Sequence, residues 1–350
     1  MVEYLSGNRI QGSSTLSSAP PATSWKELGR TTLSGTNDSI DVSSFTAKDN
    51  LMILCNVINS GGDFRTFWRF NSDTGSNYSQ RYNTNGGSDA TNTSLNGTMD
   101  WNTAESVQSF EVLNITNIAA QEKLGIKHKI GSNTAGAGNA PNRVEAVGKW
   151  ANTSAQITSV SVGDGVDPKS GTGGIGSEVV VLGFDNDEAD SGTNFWQELA
   201  SIELSATANE INSGTFTAKK YLMVELQVIA DGSISGSDLQ FNGDTGNNYA
   251  RRYRSGGDSE ATGTSEATLG GGTGGDRGYN TWFIVNVADK EKLAIGEATW
   301  ASNGAGNAPS RRELTGKWAN TSAQITSIKI KENGSGGWAS GSTLKVWGSD

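Results

Sequence analysis

The sequence predicts an all-β protein, two tandem antiparallel β-sandwiches of jelly-roll-like type preceded by an extended N-terminal arm. Three observations predict it. First, the stretch GAGNAPNRVEAVGKWANTSAQITS, Gly136 to Ser159, recurs as GAGNAPSRRELTGKWANTSAQITS, Gly304 to Ser327, with 20 identities in 24 positions at a spacing of 168 residues. A chain that repeats itself so closely is a tandem duplication. Second, 46 of the 350 residues are Gly, with Ser, Thr and Asn also frequent and only 5 Pro. Gly, Ser, Thr and Asn are poor in helix interiors and suited to turns. Third, apolar residues come in short runs, continuous or alternating with period two, as strands require.

Residues 1–24 are unlike the rest. YLSGNRIQG is followed by SSTLSSAPPATS, which ends near Pro20-Pro21. The Pro pair disfavours helix. Tyr4, Leu5 and Ile10 are apolar with little nearby to bury them, so this arm reads as a segment that docks on another subunit or as a flexible leader. The first repeat then spans 25–186, a short acidic linker 187–195, and the second repeat 196–350. The correspondences run through the whole chain: WKELGRTTL at Trp25 with WQELASIEL at Trp196, and LMILCNVI (51–58) with LMVELQVI (222–229). FNSDTGSNYSQRY (70–82) matches FNGDTGNNYARRY (241–253), QEKLGI at Gln121 matches KEKLAI at Lys290, and SEVVVLGFD (177–185) matches STLKVWGSD (342–350).

Within a repeat, LMILCNVI reads as a central strand buried on both faces, and QITSVSV as a half-buried one. The best helical candidate, NIAAQEKLGI, is short and reads as a turn or a single turn of helix. About eight strands per repeat suit a jelly-roll-type sandwich. The runner-up is an immunoglobulin-like sandwich, which is usually smaller than these repeats.

The net charge of 27 − 37 = −10 disfavours nucleic acid and anionic lipid as partners. No run approaches the roughly 20 apolar residues of a membrane span. MVEYLSGNRIQGSS has no apolar stretch after a basic start, so no secretory leader is expected. With one Cys (Cys55) and one His (His128), neither a disulfide framework nor a zinc site is expected. A Ser–His–Asp or Cys–His centre would rest on one histidine in one repeat. The sequence therefore predicts no catalytic, cofactor or metal residues and no enzyme.

Four features still invite a chemical reading. Asn71, Asp73 and Asn77 around Gly75, matched by Asn242, Asp244 and Asn248, loosely resemble a calcium loop but lack its bidentate Glu; an Asx-stabilised turn is the plainer reading. Tyr78, Arg81 and Tyr82, matched by Tyr249, Arg252 and Tyr253, form a sugar-stacking face, cross-strand pairs or subunit contacts. Arg143 with Glu145, and Arg311 with Glu313, read as surface ion pairs of little energetic weight. Asn152 and Asn320 stand in formal glycosylation acceptors. The glycines of GAGNAP are not followed by a helix or a Lys-Ser/Thr pair, so this is no phosphate loop. Trp150 and Trp318 read as core anchors, and the whole paired stretch as scaffold. Function is then expected where the copies differ, in the loops between Tyr82 and Ser109 and between Tyr253 and Asn280.

On MVEYLSGNRIQG, FNSDTGSNYSQRY, GAGNAPNRVEAVGKWANTSAQIT and SEVVVLGFD, the chain resembles a group of virion structural proteins of marine tailed phages and archaeal viruses. The resemblance implies a place on the virion surface as fibre, spike or capsid decoration, after assembly in the host cytoplasm. It implies self-association, contact with other virion proteins and no catalytic residues; host surface glycans are a candidate partner. Other expectations are a carbohydrate- or receptor-binding module, a subunit of an extracellular filament in which the arm completes a neighbour's sheet, and a double jelly-roll capsid protein.

Overall fold

A computed structural model describes residues 25–62, 64–98, 106–164, 171–186, 194–232, 236–272, 274–334 and 336–350. It also describes the backbone of a two-strand pair, β1 (Val2–Glu3) and β2 (Gln11–Gly12). The remainder of the expected arm, and 187–193 of the expected linker, lie outside the described residues. Among those residues there is no helix. The chain divides into two compact units, Met1–Asn133 with Val144–Trp196, and Thr134–Arg143 with Gln197–Asp350. Each is an antiparallel β-sandwich.

In the first unit the strands are β3 (Lys26–Thr32), β4 (Ser39–Val42), β5 (Asn50–Gly61), β6 (Thr66–Phe70), β7 (Tyr78–Thr84) and β8 (Ala90–Leu95). They continue as β9 (Gln108–Thr116), β10 (Lys123–Ser132), β11 (Asn142–Trp150), β12 (Val160–Asp164), β13 (Thr172–Gly173) and β14 (Glu178–Phe184). The large sheet runs β3-β14-β5-β9-β10-β11-β7-β8, with β13 beside β5, and the small one runs β4-β12-β6.

The second unit repeats this order in β15 (Gln197–Glu203), β16 (Glu210–Asn212), β17 (Tyr221–Asp231), β18 (Ser237–Phe241), β19 (Tyr249–Ser255) and β20 (Ala261–Glu266). Then come β21 (Arg277–Val285), β22 (Lys292–Ala301), β23 (Ser310–Trp318), β24 (Ile328–Glu332), β25 (Gly337–Trp338) and β26 (Thr343–Ser349). Its sheets run β15-β26-β17-β21-β22-β23-β19-β20, with β25 beside β17, and β16-β24-β18. The sequence suggests about eight strands per repeat, and the described residues of each repeat form twelve. The extra ones, such as β4, β13 and β25, are too short to show a period. In NIAAQEKLGI, residues 119–121 form a turn and Lys123 to Ile126 already belong to β10.

Each core lies between a large and a small sheet. Leu51 to Val57 of β5 are all buried, flanked by β14 and β9, as a continuous apolar run requires. Trp150 and Trp318 are buried anchors, stacked on Tyr78 and Tyr249 at 6.3 Å.

The near-identity of the two copies has a hydrogen-bond explanation. Asn71 takes a left-handed φ of 51° and its Oδ1 accepts from the backbone of Thr158 and Ser159, while its Nδ2 donates to Gln156 O. Asn242 does the same with Thr326, Ser327 and Gln324. Asn117 Oδ1 accepts from Ile157 N, and Asn286 Oδ1 from Ile325 N. The QITS segments between the sheets are thus held by side-chain amides in place of a neighbouring strand. Buried backbone groups need partners, so these residues cannot vary freely.

Candidate functional site

The Asp73 turn is built for structure. Asp73 Oδ1 accepts from Gly75 N at 2.8 Å, and Asn77 Nδ2 reaches both carboxylate oxygens. Trp150 Nε1 donates to Oδ2 at 2.7 Å. Asp244 repeats the set with Gly246, Asn248 and Trp318. Burial raises each carboxyl's pKa, but the indole, amide and backbone donors outweigh it and hold both below the usual carboxylate value. Both oxygens are spent on protein donors, the Asx-turn arrangement and not that of a cation ligand. Among the described residues no cluster of three metal-ligating side chains occurs.

Tyr78 and Tyr249 are buried, and each hydroxyl accepts from the backbone N–H of Phe70 or Phe241. They therefore cannot stack on a sugar. Asn152 and Asn320 each cap a turn through Oδ1, which accepts from the backbone N–H groups two and three residues on.

Beyond this shared frame the interiors diverge. In the first unit Glu111 is fully buried with Lys127 and Lys129, each 3.6 Å away. Thr66 Oγ1 and Trp68 Nε1 also donate to its carboxylate. Cys55 lies beside this group, and burial, reinforced by Glu111, pushes its thiol up. The second unit has Asn280, Gly296 and Ala298 at the three charged positions. Trp282 takes the space, and a Cβ on Gly296 would meet its ring at 2.5 Å.

The arrangement with the clearest functional content joins a loop to a sheet face. In the second unit, segment Thr134–Arg143 lies against β19, β20, β23 and the residue that precedes β22. Gly136 N donates to Glu291 Oε1 at 2.5 Å, and Lys317 Nζ to Thr134 O at 2.7 Å. Arg252 Nε donates to Pro141 O, and Ser265 N to Ala137 O, both at 2.7 Å. Because β20 ends the sheet order, the last bond satisfies an otherwise open edge. Arg143, 3% exposed, pairs with Glu260 at 2.6 Å and Glu313 at 3.5 Å. Lys317 pairs with Glu291 at 3.4 Å and burial pulls its pKa down.

This corrects the expectation of a weak surface pair at Arg143. Its side chain lies in a buried cluster because the loop carries it onto another face. Arg311, itself 64% exposed, does pair with Glu313 at 3.0 Å as expected, but Glu313 is largely buried and shared with Arg143.

The first unit has the same face, which no loop covers among the described residues. Glu122 and Lys149 pair at 3.0 Å where Glu291 and Lys317 stand, but are about 40% exposed. Arg81 and Asp89 pair at 3.6 Å in the places of Arg252 and Glu260, also exposed. Ser94 has the left-handed φ of Ser265, 55° against 52°. The apolar floor between these pairs is open: Leu124 is 55%, Ile126 52% and Val147 47% exposed, whereas Leu293, Ile295 and Thr315 are 0, 5 and 1%. These residues and their neighbours line a groove of about 770 Å³. Sequence reasoning took the GAGNAP loops as scaffold and missed the face. The available signal is strand β10, whose lysines point inward while Leu124 and Ile126 point to water.

No family model matches the chain, and no curated protein matches it. Among solved structures it is similar to the mouse laminin alpha1 chain, domains LG4-5, at 8% identity over 90% of each chain. The TM-score is 0.20, at which the likeness carries no argument.

Proposed function

We propose that the chain is a non-enzymatic structural protein of a virus particle, a fibre, spike or capsid-decoration subunit that self-associates through its β domains. The observation that carries this reading is the loop-binding face, built twice in one chain, closed in the second unit and open in the first. An open face with an apolar floor and a rim of ion pairs has the composition of a contact surface. The resemblance of the sequence motifs to virion proteins supports a place on the particle, and the net charge of −10 suits a surface away from the packaged nucleic acid.

The test has two arms. Light scattering of the full chain over a concentration series reads self-association. Gold-labelled antibody against the chain, imaged by electron microscopy on particles that encode it, reads location. Multimers and label on the particle surface are the expected results. A chain monomeric at every concentration, or particles without label, contradicts the reading.

A further inference from the structure

The two GAGNAP loops share one conformation and have opposite surroundings. Gly136 and Gly304 have φ of 91° and 93°, in the region only glycine enters readily. Asn139 and Asn307 close the loops alike, through N–H to the carbonyl of Gly136 or Gly304. Their side chains donate to Ala135 O and Asn303 O. Pro141 is buried, yet residues 302 to 309 are all exposed, Pro309 among them. One preformed loop is thus seated and the other is not. Likewise one of the two matching faces is covered and the other open.

We propose that the 304–311 loop of one copy of this chain seats in the open face of the first unit of a second copy, forming a head-to-tail joint. The inference rests on the self-association in the proposed function and names its contact. Every partner used by the seated loop has a counterpart at the open face. Glu122 receives Gly304 N, Ser94 N donates to Ala305 O, Arg81 donates to Pro309 O, and Asp89 pairs with Arg311. Leu124, Ile126 and Val147, which the sheet turns toward water, lose their exposure. Burial of apolar side chains supplies the driving force, and the polar contacts fix the register.

Each copy carries one free loop and one open face, so the contact is heterologous. Repetition gives a filament, or a ring where the rotation closes.

The experiment uses charge reversal at two exposed positions that take no part in either core, Arg311→Glu and Asp89→Arg, in the full chain. Far-UV circular dichroism checks that both variants fold. Sedimentation velocity over a concentration series reads assembly. The wild type is expected to grow beyond two chains, and each variant alone to stay at one. Mixed one to one, the variants pair an unchanged loop with an unchanged face at one joint and the two reversed charges with each other at the next, and are expected to assemble again beyond two chains. If the wild type assembles and either variant assembles equally well, the joint is overturned while the structural reading stands. If the wild type stays monomeric at every concentration, both fall. A mixture that stays monomeric beside an assembling wild type also overturns the joint.

Discussion

The two units share a topology strand for strand but differ in what fills them and in what covers them. The first unit buries a carboxylate between two ammonium groups, Glu111 with Lys127 and Lys129. The second has Asn280, Gly296 and Ala298 there, and lets Trp282 occupy the space. The first leaves one sheet face open, and the second covers the same face with a loop. What the copies hold in common is neither core chemistry nor surface chemistry. It is the set of side-chain hydrogen bonds that complete the backbone of the QITS segment, with the Trp–Asp–Tyr group beside it. A sandwich frame of this kind tolerates exchange of its interior so long as backbone donors and acceptors stay satisfied.

The largest difference between the units is expected at the buried charges. Glu111→Ala leaves two lysines in the first core without their carboxylate, and should destabilise that unit by about 3–5 kcal/mol. Asn280→Ala in the second removes the acceptor of Gly272 N–H and should cost about 1–3 kcal/mol. Denaturant titrations of the full chain followed by tryptophan fluorescence measure both; equal losses would break the contrast.

Next in size is the covered face against the open one. Lys317→Ala strips a buried donor from Thr134 O and Glu291 and should cost about 1–3 kcal/mol. Its counterpart Lys149→Ala removes only a solvated ion pair and should cost about 0–1 kcal/mol. The same titrations, read as a pair, check whether the loop makes the difference.

The shared frame should respond alike in both copies. Trp150→Phe and Trp318→Phe each remove an indole donor to an aspartate. Each should lower stability by about 1–2 kcal/mol, the size of a hydrogen bond to a charged acceptor that water partly replaces. Unequal effects would show that the frame is not equivalent.

The smallest effect is the pH response of the same turns. Asp73 and Asp244 are held below the usual carboxylate value when folded. Their contribution is therefore complete above that usual value, and is lost as pH falls toward and through the lower folded one. Asp73→Asn and Asp244→Asn should each flatten the acid side of a thermal-stability profile, by similar amounts.

The frame was legible in the sequence because local rules decide it. The duplication, the continuous run at Leu51–Val57, the Asx turn at Asp73 and the core role of Trp150 each depend on residues near in sequence or on strand period. The candidate site was less legible. GAGNAP is the same six letters in both copies, and nothing in those letters says that one copy is seated and the other exposed. Arg143 and Arg311 look equivalent for the same reason, and only the first is buried. β10 could have raised the question, since Leu124, Ile126 and Lys127 in KLGIKHKI carry the period of a strand turned inside out. Reading that inversion correctly requires knowing that the outward face has a partner. The expectation that function lies where the copies differ points to the loops between Tyr82 and Ser109 and between Tyr253 and Asn280, whereas the loop of this face is one of the parts the copies share.

The most direct measurement of the central claim is a covalent trap across the proposed joint. In the seated loop Ser265 N meets Ala137 O at 2.7 Å, so Ser94 and Ala305 of two copies should be backbone neighbours. The double variant Ser94→Cys with Ala305→Cys is oxidised mildly and run on a non-reducing gel. Cys55 is buried and leaves the readout clean. A ladder of linked chains that disappears on adding Arg311→Glu is the predicted result, and a single monomer band would contradict the account.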